Sequence, residues 1–179
     1  KFFLVNKNLL TDCEVEYLSN KKNGTIVEIN PHQNGPGFSI VEAKDKLPLN
    51  ESFFIAYNDI YWDWNFDDVR NKLEDEGIIF VNHGFHPHLI KKSFSGFCLA
   101  EKSKPMLLKD LNVKGNFTEN WMYEEYLDTA LYFCKSGYNM ISLLEEEIEC
   151  NRRIAGEYFV PSIYKKMLSY DKKIILHEV

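Results

Sequence analysis

Four short segments carry side chains in arrangements that could do chemistry. Gln33-Asn34-Gly35-Pro36-Gly37-Phe38-Ser39 separates an apolar run ending near Ile29 from a helical run through Ile40, Val41 and Ala43. Two glycines let backbone approach a flat ligand, and a helix start behind them offers N–H groups. The plainer reading is a tight strand-to-helix turn. In Phe53-Phe54-Ile55-Ala56-Tyr57-Asn58-Asp59-Ile60-Tyr61 an apolar strand runs directly into an acid. Ligands of open α/β sheets bind beyond the carboxyl ends of the strands, so Asp59 is placed to hold a hard cation such as Mg²⁺ against phosphate oxygens. It could equally cap the turn that follows. His83-Gly84-Phe85-His86-Pro87-His88 holds three of the five histidines. No Cys or carboxylate stands nearby to complete a tetrahedral zinc set, and a loop rich in polar rings is the better reading. Finally, Glu157 in Gly156-Glu157-Tyr158-Phe159-Val160-Pro161 could cap a helix or offer a carboxylate to sugar hydroxyls, which need acceptors.

The elements that must position these groups follow from the apolar pattern. Strands are expected at Phe2–Val5, Gly24–Ile29, Phe53–Tyr57, Ile78–Val81, Gly96–Ala100, Pro105–Leu111, Leu127–Phe133 and Lys172–Val179. Phe66, Val69 and Leu73 fall at i, i+3 and i+7 and predict a helix, with Asp67 and Asp68 in its first turn. Tyr138, Ile141, Leu144 and Ile148 predict a second helix whose Glu145, Glu146 and Glu147 form a solvated face. A third is expected from about Tyr158 to Tyr170. The first half reads as repeated β-α-β, whereas hairpin-like β segments take over between about 83 and 133. No repeat or flexible linker interrupts the chain, so one domain is expected, with residues 1–82 as one half and 83–179 as the other.

The 179 residues include 21 Lys+Arg against 27 Asp+Glu, a net charge of −6. That balance argues against a surface built to neutralise nucleic-acid phosphates. No apolar run approaches the roughly 18–20 residues that cross a bilayer, and no secretory signal opens the chain, so neither nucleic acid nor membrane is an expected partner. Four scattered cysteines, with no Cys-x-x-Cys pair, suggest a reduced, cytoplasmic protein with buried thiols. Trp62 and Trp64 could form a subunit contact in a homo-oligomer, though local packing accounts for them more simply. Both ends, Phe2–Val5 and Lys172–Val179, read as interior strands, as though the chain were cut inside its sheet.

Taken in order, these segments resemble the sugar-nucleotide nucleotidyltransferases, the NDP-sugar pyrophosphorylases. Gly35-Pro36-Gly37 with its following helix is similar to the family's base-contacting turn. Ile55 through Trp64 is similar to the strand that ends in a metal-binding aspartate. Gly84-Phe85-His86-Pro87-His88 and Asn116-Phe117-Thr118-Glu119-Asn120-Trp121-Met122 resemble a capsule-associated bacterial branch. Gly156 through Val160 resembles the segment whose glutamate contacts the sugar. The resemblance implies a Rossmann-like three-layer α/β sandwich with a mixed, mostly parallel sheet, the glycosyltransferase-A-like nucleotidyltransferase fold, incomplete at both ends. It implies a reaction in which a sugar 1-phosphate, or a related phosphorylated polyol, attacks a nucleoside triphosphate and releases pyrophosphate. It also implies roles: Asp59 as Mg²⁺ ligand, Gln33, Gly35, Pro36, Gly37 and Asn58 at the nucleotide, and Glu157 at the sugar.

The departures are as informative. The family's Glu-Lys-Pro motif, whose lysine binds the sugar phosphate, falls on Val113-Lys114-Gly115, which keeps the lysine and loses the glutamate. Lys102 is the alternative, although it lies far upstream. The family's glycine before the Tyr-Phe end of the same strand is assigned to Thr129, which would crowd the sugar. The glycine-rich loop that grips the triphosphate has no counterpart, nor has the segment after the last strand. The implied reading is therefore the central, sugar-binding part of a nucleotidyltransferase, inactive by itself. The alternative is a non-catalytic sugar- or nucleotide-binding relative.

Overall fold

A computed structural model of the chain describes residues 1–61, 63–85, 96–101 and 103–179. It divides into two compact units, each drawn from two stretches. One comprises Lys1–Leu49 and Ile141–Val160, the other Asn50–Met140 and Pro161–Val179.

In the first unit, β1 (Phe2–Asn6) and β2 (Thr25–Ile29) pair in parallel, from Phe2↔Thr25 to Asn6↔Ile29. Parallel strands need a long crossover, and here it contains α1 (Asp12–Glu16). α1 has no buried residue and hence no apolar period. It is held instead by a capping box in which Thr11 and Glu14 satisfy each other's backbone N–H groups. After β2 comes α2 (Pro36–Glu42), with proline in its first turn where no N–H is needed. Val27, Ile29 and Ala43 form a small core with Leu4 and Leu47. The long helix α4 (Gly137–Glu149) supplies this unit from Ile141 onward. Its acidic run is not the solvated face expected from the sequence. Glu145 pairs with Lys44 at 2.6 Å, while Glu146 and Glu147 share Arg152 at 3.1 and 2.6 Å, and Glu147 is buried.

The second unit holds β3 (Phe53–Ala56), β4 (Gly77–His83), β5 (Phe97–Glu101), β6 (Leu107–Asn112), α3 (Trp121–Glu124), β7 (Tyr126–Cys134), α5 (Ser162–Leu168) and β8 (Ile174–Glu178). The strand order β7-β4-β8-β6-β5 closes back on β7, so five strands make a ring, with β3 attached outside it along β7. This corrects the expected three-layer, mostly parallel sandwich. The fold is mixed α/β, but only β1–β2 and β4–β8 pair in parallel among the described strands; all other pairings are antiparallel. Few residues separate β5 from β6, too few for a parallel crossover, which forces a hairpin.

β7 is where the ring turns. Ile79 pairs with Tyr132 and Val81 with Asp128, so Thr129, Ala130 and Leu131 face the single residue Phe80. A bulge of this kind bends a strand and sharpens its twist. Beyond the bend β7 pairs with β3, from Ala56↔Leu131 to Phe53↔Cys134, and before it with β5 through Phe97↔Leu127 and Cys98↔Tyr126. The core lies around Val69, Ile78, Phe80, Leu131, Phe133 and Ile175, with Trp64 packed against it. Trp64 thus packs locally; Trp62 lies outside the described residues.

Two helices differ from expectation. Residues 66–73 form two short 3₁₀ turns, Phe66–Asp68 and Arg70–Lys72. Asn65 accepts from the Asp67 N–H, and Val69 and Lys72 donate to Phe66 and Val69, three residues back. The spacing of Phe66 and Val69 serves a three-residue period as well as an α-helical one. The last helix begins at Ser162, after Pro161, and not at Tyr158. Of the cysteines, Cys98 and Cys134 are buried as expected, whereas Cys13 and Cys150 are exposed.

Candidate functional site

The expected site residues fall into two places, one in each unit. In the first, the Gly35 turn docks against the Glu157 segment. The Tyr158 N–H donates to Asn34 O and the Gly37 N–H donates to Tyr158 O, both at 2.8 Å. Gly35 has φ +87°, and a Cβ there would lie 2.7 Å from Glu157 Cβ and 2.8 Å from Tyr158 O. A Cβ on Gly37 would meet Tyr158 O at 3.0 Å and Leu144 Cδ2 at 3.1 Å. Glycine is required at both positions by the chain's own backbone. Of the helix-start N–H groups expected to be open, Pro36 has none and Gly37 gives its own to Tyr158 O.

Glu157 sits at the end of a tight hairpin, closed by reciprocal bonds between Ile154 and Glu157 at 2.9 and 3.1 Å. Its central residues, Ala155 and Gly156, both have positive φ, the signature of a type I′ turn. Glu157 is therefore half-buried on a turn and does not cap a helix. Arg153, unremarked in the sequence, pins the two segments together. Its Nη1 donates to Asn34 Oδ1 and Gly156 O, both at 2.9 Å, and its guanidinium lies 4.6 Å from the centre of the Tyr158 ring. His32 adds a second pin: Nδ1 accepts from the Asn34 N–H at 3.1 Å. The neutral ring then carries its proton on Nε2, which faces Ser39 Oγ at 3.2 Å. Gln33 itself is exposed.

The second place is the β7 bulge. Thr129 is buried, and its hydroxyl donates to Phe80 O at 2.8 Å. The residue in the left-handed region that favours glycine is its neighbour Ala130, with φ +56°. The glycine-like position is thus one residue further along than the sequence assigned it. Asp128 directs its carboxylate back across the bulge. Oδ1 accepts from the Ala130 N–H at 2.9 Å and Oδ2 from the Tyr132 hydroxyl at 2.8 Å. Burial pushes this carboxyl up to about 6; those two hydrogen bonds and the nearby charge of Lys114 pull the other way. Lys114, half-buried, follows β6 on a loop fixed by Glu125. The Glu125 carboxylate is 2% exposed and accepts from the N–H groups of Phe117 and Thr118. The Tyr57 N–H donates to Ala130 O at 3.2 Å, which brings the chain leading to Asn58 and Asp59 to the bulge. Both of those residues are exposed.

Lys102, His86 and His88 lie outside the described residues. Among the described residues no three His, Cys, Asp or Glu side chains form a metal-holding group, and no helix is long and apolar enough to cross a membrane.

The structure is similar to that of the nucleoside-diphosphate-sugar pyrophosphorylase from Vibrio cholerae RC9. The TM-score is 0.75 over 99% of this chain and 72% of that one, at 13% identity. The fold is a nucleotidyltransferase fold. Similar too are UDP-glucose pyrophosphorylase complexed with UDP-glucose, with a TM-score of 0.66 over 100% of this chain and 73% of that one at 14% identity, and the inositol-1-phosphate CTP transferase from T. maritima, at 0.65 over 98% and 64% with 15% identity. The sequence matches no protein-family model and no curated protein. Within this nucleotidyltransferase fold, sequence reasoning missed Asp128, Arg153, His32 and Glu125. The available signal for Asp128 was a lone acid inside the apolar run from Leu127 to Phe133.

Proposed function

We propose that the chain is the central and sugar-binding part of a sugar-phosphate nucleotidyltransferase. The intact protein joins a nucleoside triphosphate to a sugar 1-phosphate or phosphorylated polyol, releases pyrophosphate and supplies surface-polysaccharide synthesis in the cytoplasm. The observation that carries this reading is the fold similarity over nearly the whole chain to proteins named for that chemistry. The ordered motifs support it. Glu157 presents a half-buried carboxylate to sugar hydroxyls, beside a turn formed by Gln33, Gly35, Pro36 and Gly37 at the nucleotide. In the other unit Lys114 is assigned to offset charge on the sugar phosphate, Thr129 to the sugar and Asn58 to the nucleotide. Asp59 suits Mg²⁺, because an ion carried on phosphate oxygens takes only one or two carboxylates from the protein and Asp59 is exposed to offer one. When bound, that ion would neutralise charge gathering on the phosphates.

The test is pyrophosphate release by the intact protein, given Mg²⁺, each of the common nucleoside triphosphates and a panel of sugar and polyol 1-phosphates. Release that depends on both substrates is expected; none with any pair overturns the reading. Saturable sugar-phosphate binding without release would favour the non-catalytic relative, which fits a Gly37 N–H already occupied by Tyr158 O.

A further inference from the structure

Glu157 is held from both sides by one residue of the facing turn. The two peptide planes that flank its Cα are each fixed by hydrogen bonds that lead to Asn34. In the peptide that follows Glu157, the Tyr158 N–H donates to Asn34 O at 2.8 Å. In the peptide that precedes it, Gly156 O accepts from Arg153 Nη1 at 2.9 Å, and the same nitrogen donates to Asn34 Oδ1 at 2.9 Å. Because a peptide is planar, fixing these two planes fixes the direction in which the Glu157 side chain leaves the backbone.

Packing does not account for Arg153. The residue is exposed, and among the described residues every acceptor it meets is neutral: Asn34 Oδ1, Gly156 O and, from Nε at 3.0 Å, Asn151 Oδ1. Its neighbour Arg152 differs, since it pairs with the carboxylates of Glu146 and Glu147. Arg153 also stands between two left-handed residues, Asn151 and Ala155, each with φ +50°. Such backbone persists where its surroundings over-determine it, and here the planar fork of one guanidinium supplies the ties.

Resting on the function proposed above, we infer that Arg153 is a positioning residue that ties the orientation of Glu157 to the occupancy of the nucleotide turn. Asn34 stands between Gln33 and Gly35, both assigned to the nucleotide. A ligand that restrains this turn restrains both oxygens of Asn34 and, through Arg153, the glutamate assigned to the sugar. The sugar phosphate then meets a carboxylate already ordered, and by linkage the nucleotide gains the same factor in return.

Calorimetric titration of the intact protein with a panel of sugar 1-phosphates reads this factor. Each titration is run without and with a saturating nucleoside triphosphate analogue whose α–β bridge is methylene, which cannot release pyrophosphate. The wild type should bind at least one sugar 1-phosphate about tenfold more tightly when the analogue is present. Arg153→Met should still bind each ligand alone, with that factor reduced to about twofold or less. A wild type that binds no sugar 1-phosphate under either condition overturns the proposed function and this inference together. A wild type with equal affinity in the two conditions, or a methionine variant that keeps the full factor, overturns this inference alone. A measurement without mutation guards against a variant that fails to fold: the Arg153 Nε–H resonance should shift with the analogue alone and with the sugar 1-phosphate alone. A resonance that answers to only one of the two ligands refutes the tie.

Discussion

The Gly35 turn and the β7 bulge both hold residues assigned to substrate, yet they are built on opposite principles. At the turn, backbone meets backbone at distances that only glycine allows, and the polar groups of Asn34, Gly37 and Tyr158 answer one another. At the bulge, side chains carry charge into a half-buried strand, and the backbone bends to let them do so. The first is tight because its parts satisfy each other. The second keeps unfavourable features, a disfavoured carboxylate and a left-handed alanine, which is the pattern expected where binding rather than packing sets the residue.

That contrast can be broken by substitution. The largest loss is expected for Gly35→Ala, which combines a left-handed φ with a Cβ 2.7 Å from Glu157 Cβ. It should cost about 3 kcal/mol, read by urea denaturation; a loss under about 1 kcal/mol would mean that the seat yields easily. Next comes Glu125→Ala, which leaves the N–H groups of Phe117 and Thr118 without their buried acceptor. About 2 kcal/mol should be lost, together with affinity for phosphate through the loop that bears Lys114.

Asp128→Asn should go the other way. The carboxyl is held at about 6 in the folded chain against an ordinary 3.8. Between those values the folded state binds more protons than the unfolded state, so wild-type stability falls as pH rises from about 4 to about 6 and stays lower above that. The asparagine variant should therefore be more stable at pH 7.5 by about 1–2 kcal/mol, a gain that shrinks on acidification through 6. Equal melting temperatures for the two proteins at pH 7.5 would remove the distinction between the regions. The smallest effect is expected for Ala130→Gly, which relieves the left-handed alanine and should stabilise by up to about 1 kcal/mol in the same assay.

The strands were legible because each is a short apolar run between polar breaks, and all eight lie where those runs predict them. The closure of the ring was not. It depends on β4 pairing with β8, far apart in sequence, and on one register pair between β6 and β8, Leu107↔Ile175. Local periodicity contains neither. The glycines were legible as a turn, but that Tyr158 O lies against them is a long-range contact no spacing encodes. Phe66 and Val69 misled because three residues is the period of one helix type and nearly that of another. Asp128 escaped notice because an acid in a strand reads as an interruption until its acceptors and neighbours are seen.

The position of β3 has a further consequence. It lies outside the closed ring and meets β7 along one edge, so it can detach without opening any pairing on which the ring depends. Its amides are therefore expected to open as a separate cooperative unit of lower energy than the ring. In native-state hydrogen exchange, Phe53–Ala56 should release their protons well before Ile78–Phe80 on β4. The segment that delivers Asn58 and Asp59 is then the part of this unit able to breathe while the rest stays folded.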